Sequence, residues 1–326
     1  MFNFFRPFIF KFSPEVAHSL AIKALKLNNL VSSKPKDSKF LEIEFYGKKL
    51  PSPIGVAAGF DKNAEVYNPL FNLGFGFVEV GTITPKPQYG NPKPRIFRLE
   101  EDEALINRLG FNNSGSEEIS LRIKNEIKKG YLGINIGPNK DTKNRIEDYL
   151  ICFRKFYELA DYLVINISSP NTDNLRDFHN KDELNSLINA IKEEKEKLNS
   201  KIPIAIKVSP DLNEEQTDLI AKILMDKGIE IIIISNTSDR NRENLHNINK
   251  LEKGGLSGKP IQEISNKIIL KFYKILGNKI KIIGVGGVDT GKDAFEKIIC
   301  GASLVQLYTG MVYKGPGIAS KISSEL

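Results

Sequence analysis

Eight short apolar segments recur along this chain, and segments with helical periodicity lie between them. The apolar segments span residues 54–57, 77–80, 132–135, 162–165, 203–207, 231–235, 281–285 and 303–307. Strands that alternate with helices form parallel βαβ units, and eight such units favour a closed barrel over an open sheet. The 326 residues and the 40% hydrophobic content suffice for a barrel with additions. The predicted fold class is therefore α/β, a (β/α)8 TIM barrel with a small N-terminal helical extension.

Helices are predicted between the strands, at residues 116–129, 146–159, 182–198, 214–227, 261–276 and 292–299. The connection between the second and third strands differs from this plan. Residues 84–111 are rich in proline and too long for a simple loop, which indicates a functional excursion over the barrel mouth. A hairpin is predicted at residues 41–50. We divide the chain into an N-terminal extension at residues 1–33, a polar linker at 34–39 and a barrel domain at 40–326.

The N-terminal extension carries an unusual apolar load. Half of its first twelve residues are phenylalanine, namely Phe2, Phe4, Phe5, Phe8, Phe10 and Phe12. A helix is predicted to begin at Ser13-Pro14-Glu15, which offers an N-cap, a proline at the first helical position and an acidic first turn. Two short helices with an apolar face and basic residues fit an interfacial membrane element, and a cap packed under the barrel floor is the alternative. No run of 18 apolar residues exists, and Arg6 and Lys11 interrupt the pattern of a cleaved signal peptide.

Composition excludes several classes of site. The two cysteines, Cys152 and Cys300, form no CxxC motif, which argues for a reducing compartment and against a disulfide framework or a zinc site. The three histidines are too few and too scattered for a histidine-based metal site. The net charge of +7 is compatible with nucleic acid, an anionic membrane surface or anionic ligands. A general bias towards lysine, asparagine and isoleucine also explains that charge.

Polar groups and glycines follow every predicted strand. The C-terminal ends of the strands face the active site in a TIM barrel, so these residues gather at one mouth. The densest of them lie in the stretch DYLVINISSPNT, residues 161–172. The polar residues at the exit of this fourth strand are Asn166, Ser168, Ser169 and Asn171. We interpret this end of the barrel as the catalytic end.

Two glycine-rich segments indicate where a phosphate group binds. The motif GVGG at residues 284–287 belongs to the seventh strand and its exit, and the loops after strands seven and eight of these barrels usually bind phosphate. Backbone N–H groups of a glycine turn and of a helix N-terminus hold such an anion. The motif GGLSG at residues 254–258 is interpreted as a further, flexible backbone surface. A tight turn also explains a GxGG motif. No GxGxxG motif opens a helix after the first strand, so a Rossmann fold is disfavoured.

The side chains expected at the mouth belong to a few chemical types. They comprise amides, hydroxyls and the lysines Lys62 and Lys207, without histidine or paired carboxylates. Asp61 is the lone acid near a strand end, and a polar turn explains it. This inventory argues against glycosidase chemistry and metal-assisted hydrolysis, and no metal site is predicted. A ring of amides suits a planar ligand such as a pyrimidine or a flavin, and the lysines suit a carboxylate or a negative charge on a cofactor.

Several longer motifs resemble those of the class 2, quinone-linked dihydroorotate dehydrogenases. They are AAGFDKN, EVGTITPKPQ, NPKPRIFRL, INRLGFNN, LGINIGPNKDT, INISSPNT, GGLSG, IIGVGGVD and GASLVQLYTG, between about residue 51 and residue 317. The segment FSPEVAHSL resembles the N-terminal extension of the same class. The resemblance implies non-covalent FMN as the cofactor, oxidation of (S)-dihydroorotate to orotate in pyrimidine biosynthesis, and a membrane quinone as the final electron acceptor. The barrel fold by itself implies none of these.

The resemblance also implies roles for individual residues. Ser169 would be the catalytic base, where class 1 enzymes carry cysteine. FMN contacts are implied for Ala58, Gly59, Phe60, Asp61, Lys62, Thr82, Asn135, Asn166, Lys207, Ser235, Gly258, Gly287, Tyr308 and Thr309. Substrate contacts are implied for Lys62, Asn107, Arg108, Leu109, Gly110, Phe111, Asn166, Asn171, Asn236 and Thr237. Ser235 departs from the threonine common in the family but retains the hydroxyl.

The same resemblance implies a function for the N-terminal extension. Quinone would reach the flavin from the membrane through these helices, past His18, Arg98 and Tyr308. A helix-surface position is the alternative for His18. Residues 171–180 would act as a lid that excludes solvent. The protein would be a monomer without nucleic-acid partners, peripheral to the membrane at the cytoplasmic face of the inner cell membrane.

Two other interpretations stay open at this point. Another FMN barrel, such as a tRNA dihydrouridine synthase, would suit the positive charge, although neither its cysteine acid nor an added RNA-binding domain is evident. A non-enzymatic phosphate-binding barrel or membrane scaffold would leave Ser169, Lys207 and the amides unexplained. The colour of the purified protein distinguishes the flavin interpretations from the last one.

Overall fold

The computed structural model describes residues 2–27, 39–172 and 174–326. The strands within these residues are β1 (Ile43–Phe45), β2 (Lys48–Leu50), β3 (Ile54–Val56), β4 (Phe77–Ile83), β5 (Ile96–Leu99), β6 (Ala104–Asn107), β7 (Tyr131–Ile136), β8 (Tyr162–Asn166), β9 (Ile204–Val208), β10 (Ile231–Ile234), β11 (Gly255–Gly258), β12 (Lys281–Val285) and β13 (Leu304–Leu307). Strands β3, β4, β7, β8, β9, β10, β12 and β13 pair in parallel in chain order, and β13 pairs with β3 to close a barrel. Each predicted apolar segment coincides with one of these strands. The predicted TIM barrel is therefore confirmed.

The helices of the described residues are α1 (Phe2–Ile9), α2 (Pro14–Leu27), α3 (Tyr67–Asn72), α4 (Ser116–Lys124), α5 (Arg145–Phe156), α6 (Lys181–Lys197), α7 (Glu214–Asp226), α8 (Gln262–Leu276), α9 (Gly291–Ile299), α10 (Thr309–Lys314) and α11 (Ile318–Glu325). The predicted helices are confirmed, but α5 ends at Phe156 instead of residue 159, and α4 ends at Lys124 instead of residue 129. The side chain of Asn68 explains this early end. It donates to the Glu126 carboxylate at 2.9 Å and to the Ile127 carbonyl at 3.1 Å. It also accepts from the N–H of Lys129 at 3.0 Å, so the segment after α4 is held outside the helix.

Side chains fill the barrel interior in layers. At the N-terminal ends of the strands, the rings of Phe77, Tyr131 and Tyr162 are buried together. The rings of Tyr131 and Tyr162 stack with their centroids 5.6 Å apart. The hairpin of β1 and β2, which was predicted at residues 41–50, closes this end, because Phe45 and Leu50 are buried in the same cluster. The barrel floor is therefore apolar and covered, and ligands are left with the opposite mouth.

Residues 84–111 contribute a cover over that mouth, as predicted. Their strands β5 and β6 form a three-stranded antiparallel sheet with β11, in the order β11-β6-β5. We call it the roof sheet. The prediction of a flexible surface at residues 254–258 is wrong, because this segment contains β11. Its glycines permit close approach of backbone instead. At Gly258, where φ is +100°, a Cβ atom would lie 2.4 Å from the carbonyl oxygen of Glu103.

Helices α1 and α2 pack beside the barrel mouth. The ring of Phe10 lies 5.6 Å from that of Tyr313, and the ring of His18 lies 5.2 Å from that of Phe60. The alternative of a cap under the barrel floor is wrong, because the hairpin occupies that end. Residues 28–38, which include the end of the predicted extension and most of the predicted linker, lie outside the described residues. Across the described ranges, no helix combines the length and the apolar character needed to cross a bilayer.

Candidate active site

A deep cavity opens at the C-terminal ends of the barrel strands, below the roof sheet. Counted out to its open mouth, it has a volume of about 1110 Å³. This volume includes solvent at the open mouth, and residues of the strand ends and of the roof sheet line the cavity.

A connected set of hydrogen-bonded side chains forms the base of this cavity. The carboxylate of Glu79 on β4 accepts from Nδ2 of Asn135 at 2.8 Å and from Nζ of Lys207 at 3.4 Å. Oδ1 of Asn135 accepts from the hydroxyl of Thr82 at 2.6 Å. That hydroxyl accepts in turn from Nδ2 of Asn166 at 3.0 Å. The buried carboxylate of Glu79 therefore orients the amide of Asn135 directly and the amide of Asn166 through Thr82.

Glu79 and its neighbour Gln306 were not among the residues predicted for the site. The interpretation of Asp61 as the lone acid near a strand end is wrong, because Glu79 on β4 is fully buried just below the cavity. Nε2 of Gln306 donates to the Glu79 carboxylate at 2.7 Å. A signal was present in the period of two along each strand. Phe77 and Leu304 fill the barrel interior, and Glu79 and Gln306 follow them by two positions.

Lys62 lies in the cavity wall, and its ammonium group has a lowered pKa. Its Nζ donates to the carbonyl oxygen of Gly59 at 2.6 Å. Burial, and secondly the positive charge of Arg95, lowers the pKa of Lys62 from 10.5 to about 8. The charged side chain is available for an anionic ligand at neutral pH, and the charge is lost in mildly alkaline solution.

Ser169 and Ser168 differ in what their hydroxyls do. The Ser169 hydroxyl lines the cavity and accepts from the N–H of Asn171 at 3.2 Å. The Ser168 hydroxyl donates to the Lys207 carbonyl at 2.7 Å and accepts from Nδ2 of Asn236 at 3.0 Å, so it ties two strand ends together. Among the described residues, neither a histidine nor a carboxylate is hydrogen bonded to Ser169. No group of three or more metal-ligating side chains is found in the described ranges either.

Glycine backbone forms another part of the cavity wall. Gly286 and Gly287 follow β12 with φ values of +116° and +70°, a region that side chains disfavour. A Cβ atom at Gly287 would lie 2.4 Å from Cβ of Gln262. Thr309, at the start of α10, lines the cavity together with Gly286 and Gly287. The phosphate site predicted from the GVGG motif falls on this part of the cavity wall, and phosphate binding there stays a prediction.

Most of the predicted site residues meet in this cavity. Those that line it are Ala58, Gly59, Lys62, Thr82, Asn107, Leu109, Gly110, Phe111, Asn166, Ser169, Asn171, Lys207, Ser235, Asn236, Thr237, Gly258, Gly287, Tyr308 and Thr309. Four predicted ligand contacts, Phe60, Asp61, Arg108 and Asn135, lie outside the lining. Their direct contacts with a ligand stay predictions, and the structure gives each of them another partner.

Asp61 and Arg108 hold backbone and roof in place. The two oxygens of Asp61 accept from the N–H groups of Glu65 at 2.8 Å and Val66 at 2.7 Å. Burial raises the pKa of the Asp61 carboxyl to about 6, and these two N–H groups oppose the rise. Nη1 of Arg108 lies 2.6 Å from the Glu252 carboxylate. Both side chains therefore shape the loops around the cavity.

Phe60 connects the N-terminal helices to the cavity. It lies between His18 and Tyr308, with centroid distances of 5.2 Å and 6.0 Å, and Tyr308 lines the cavity. Burial, and secondly the positive charge of Lys62, lowers the pKa of His18 to about 3. The imidazole is therefore neutral at physiological pH, and it faces the barrel instead of the helix surface.

Arg98, the third residue predicted on the quinone route, contacts the turn between α1 and α2. Its Nη1 donates to the carbonyl oxygens of Phe10 and Phe12, each at 3.0 Å. The guanidinium carbon also lies 4.4 Å from the centroid of the Phe10 ring, which adds a cation–π contact. Arg98 thus fastens the helix pair to the roof sheet.

The family model, the curated relatives and the solved structure that this chain matches all carry the name of one family. The sequence model of the family described as dihydroorotate dehydrogenase matches residues 40–326. The chain is similar to the dihydroorotate dehydrogenase (quinone) of Bartonella tribocorum, with 48% identity, 98% of this chain and 90% of that protein covered. The one from Nitrosomonas europaea is 44% identical, with 100% of this chain and 97% of that protein covered. The crystal structure of DHODH from Eimeria tenella in complex with ferulenol has a TM-score of 0.92 at 40% identity, with 96% of this chain and 90% of that chain covered.

The fold and the cavity define a TIM-barrel oxidoreductase whose site lies at the C-terminal ends of the strands. The chain belongs to the dihydroorotate dehydrogenase family. The two alternative interpretations, a tRNA dihydrouridine synthase and a non-enzymatic barrel, are therefore wrong.

Proposed function

We propose that this chain oxidises (S)-dihydroorotate to orotate in pyrimidine biosynthesis, with FMN as the hydride acceptor and a membrane quinone as the final electron acceptor. The observation that carries the proposal is the meeting of Ser169, Lys62 and Lys207 with several amides in one cavity. The oxidation requires a proton acceptor, a partner for the substrate carboxylate and a positive charge near the hydride acceptor. The relatives named dihydroorotate dehydrogenase (quinone) support the choice of acceptor.

The donor set of the cavity fits FMN. Amide, hydroxyl and ammonium groups of Asn166, Thr82 and Lys207 match a ring edge that alternates N–H and C=O groups. The turn at Gly286 and Gly287 and the start of α10 match a phosphate. When bound, FMN supplies the hydride acceptor. The residues proposed to hold it are Ala58, Gly59, Lys62, Thr82, Asn166, Lys207, Ser235, Gly258, Gly287, Tyr308 and Thr309, with Phe60, Asp61 and Asn135 behind them.

Ser169 is the proposed base for the proton that leaves the substrate ring. A neutral hydroxyl is a poor base in bulk water, so it acts in a closed site and passes the proton to a further hydroxyl or to water. Lys62 pairs with the substrate carboxylate. The other residues proposed to contact the substrate are Asn107, Leu109, Gly110, Phe111, Asn166, Asn171, Asn236 and Thr237, and Arg108 supports them from the roof.

Residues 171–180 are proposed to exclude solvent from the reacting groups. Arg176 in this segment pairs with Asp211 at 3.2 Å and with Asp239 at 3.0 Å. Opening the segment would break both ion pairs, so they favour the closed position. Residue 173 lies outside the described residues.

The N-terminal helices are proposed to rest on a membrane surface and to admit the quinone. The exposed apolar side chains on these helices and between them are Phe4, Phe5, Phe8, Phe12, Val16, Leu20 and Leu27. Phe4 is 72% exposed and Phe8 is 57% exposed, an arrangement that favours insertion into the lipid interface. The proposed route passes His18, Arg98 and Phe60 and ends at Tyr308. The protein would then be a monomer at the cytoplasmic face of the inner membrane, with no nucleic-acid partner.

Anaerobic flavin reduction tests this proposal. Purified protein should be yellow and hold one FMN per chain. Mixing it with dihydroorotate should bleach the flavin absorbance, and a soluble quinone analogue should restore it, whereas NAD⁺ and fumarate should not. Protein that cannot take up FMN would contradict the cofactor. Reoxidation by fumarate as fast as by the quinone analogue would contradict the acceptor.

A further inference from the structure

One buried carboxylate below the cavity has no part in the chemistry proposed so far. Glu79 on β4 is fully buried and receives four side-chain donors. Besides Asn135 at 2.8 Å and Lys207 at 3.4 Å, Nε2 of Gln306 donates to it at 2.7 Å. The hydroxyl of Tyr162 donates to it at 3.3 Å. Burial, and secondly the charge of Glu79, raises the pKa of Tyr162, so that this hydroxyl keeps its proton.

An ionised carboxylate accepts hydrogen bonds and donates none, so it fixes the direction of every bond that follows. Asn135 must turn its NH₂ group towards Glu79, and its carbonyl oxygen is then left for the Thr82 hydroxyl at 2.6 Å. The Thr82 hydroxyl donates its single proton in that bond, and it therefore accepts from Nδ2 of Asn166 at 3.0 Å. Oδ1 of Asn166 is left to accept from Nδ2 of Asn236 at 3.2 Å.

The same carboxylate faces the ammonium group of Lys207. Both side chains are buried, and two charges in such a place are stable only when they are paired. Lys207 also lines the cavity, as do Thr82, Asn166 and Asn236. Glu79 thus determines both the orientation of the polar groups at the cavity base and the net charge below it.

We propose that Glu79 is a positioning residue, which orients the chain of Asn135, Thr82 and Asn166 towards bound FMN and moderates the charge of Lys207. This inference rests on the proposed function. It gives Glu79 an effect on the cofactor without a contact to it, because neither Glu79 nor Asn135 lines the cavity.

The test is the Glu79→Gln variant, which keeps the shape and removes the charge. A glutamine at this position keeps one oxygen and gains one NH₂ group, which faces either Asn135 or Gln306, and the amide that it faces must turn. We expect FMN to bind roughly tenfold more weakly, as for the loss of one charge-assisted hydrogen bond. With Lys207 no longer balanced, oxidised FMN should lose roughly tenfold more affinity than reduced FMN, which raises the two-electron potential by about 30 mV. Fluorescence titration and equilibration with redox dyes measure these two quantities.

Three further variants separate positioning from general stability. Tyr162→Phe removes another donor of the same carboxylate but leaves Asn135 and Lys207 in place, so it should leave affinity and potential unchanged. In a Lys207→Met background, the potential should no longer respond to Glu79→Gln. The double variant Glu79→Gln/Asn135→Asp puts an obligate acceptor next to Thr82 and should recover FMN affinity, and it also serves if the single variant does not fold.

The outcomes distinguish this inference from the proposed function. If the wild-type protein binds FMN and is reduced by dihydroorotate, while Glu79→Gln keeps the wild-type affinity and potential, the positioning role is overturned and the proposed function stands. A double variant that binds FMN no better than Glu79→Gln overturns the orienting chain. A wild-type protein that takes up no FMN overturns the proposed function itself.

Discussion

The charge of Lys62 makes the affinity for an anionic ligand depend on pH. Its pKa is about 8 in the folded protein, chiefly because the side chain is buried. The side chain is therefore about nine-tenths charged at pH 7 and about one-tenth charged at pH 9. The carboxylate of a ligand such as orotate stays ionised over this range, and a variant with a permanent charge at position 62 separates the lysine from any ionisation of the ligand ring. Since the charged form pairs with the carboxylate, the dissociation constant of orotate should rise about tenfold from pH 7 to pH 9.

Lys62→Arg is the matched variant, because a guanidinium group stays charged far above this range. Orotate is titrated into each FMN-loaded protein between pH 7 and pH 9.5, and the flavin absorbance reports binding. We expect the wild-type affinity to decline at alkaline pH and the arginine variant to give a flat profile. The comparison between the two proteins decides, because any other titrating group affects both of them alike. Parallel profiles would show that another group controls binding and would refute the role of Lys62.

Two further predictions concern the base and the membrane. Ser169→Ala should slow flavin reduction by dihydroorotate by a factor of roughly 10² to 10⁴ without weakening FMN binding, and Ser169→Cys should recover part of the rate. Stopped-flow absorbance measures the rate of flavin reduction. A wild-type rate in the alanine variant would exclude Ser169 as the base. Replacing Phe4 and Phe8 by serine should weaken co-sedimentation with anionic lipid vesicles. The same replacement of Phe295 and Ile299, which are 54% and 65% exposed on the barrel helix α9, should have no such effect. Equal losses in the two pairs would contradict docking through the helices.

The barrel is predictable because its strands are buried on both faces. Runs such as the four isoleucines of β10 stand out from the periodic helices, and eight of them in alternation leave few other folds. The end of α4 is not predictable in this way, because the side chain of Asn68, far away along the chain, decides where the helix stops. The pairing of β11 with β6 also depends on contacts that no local pattern records.

The same burial that reveals the strands conceals part of the site. Every residue of β4 is buried, so polarity does not alternate along it, and the period of two from Phe77 is the one sequence signal for the inward position of Glu79. Asn166 and Ser169 are visible, because the change from apolar to polar residues marks the end of β8. The order of hydrogen bonds from Glu79 to Asn166 depends on neighbouring strands, and the pKa of Lys62 depends on burial and on Arg95.

Strand β5 joins the cavity and the N-terminal helices into one mechanical unit. Ile96 lines the cavity, and Arg98, two positions further along the same face, holds the carbonyl oxygens of Phe10 and Phe12. Side chains two positions apart on a strand are separated by only about 7 Å. On the proposed docking of the helix pair to lipid, a shift of these helices would reach the cavity wall through β5. Attachment to the bilayer and occupancy of the cavity would then be linked equilibria, and each would change the other by the same factor.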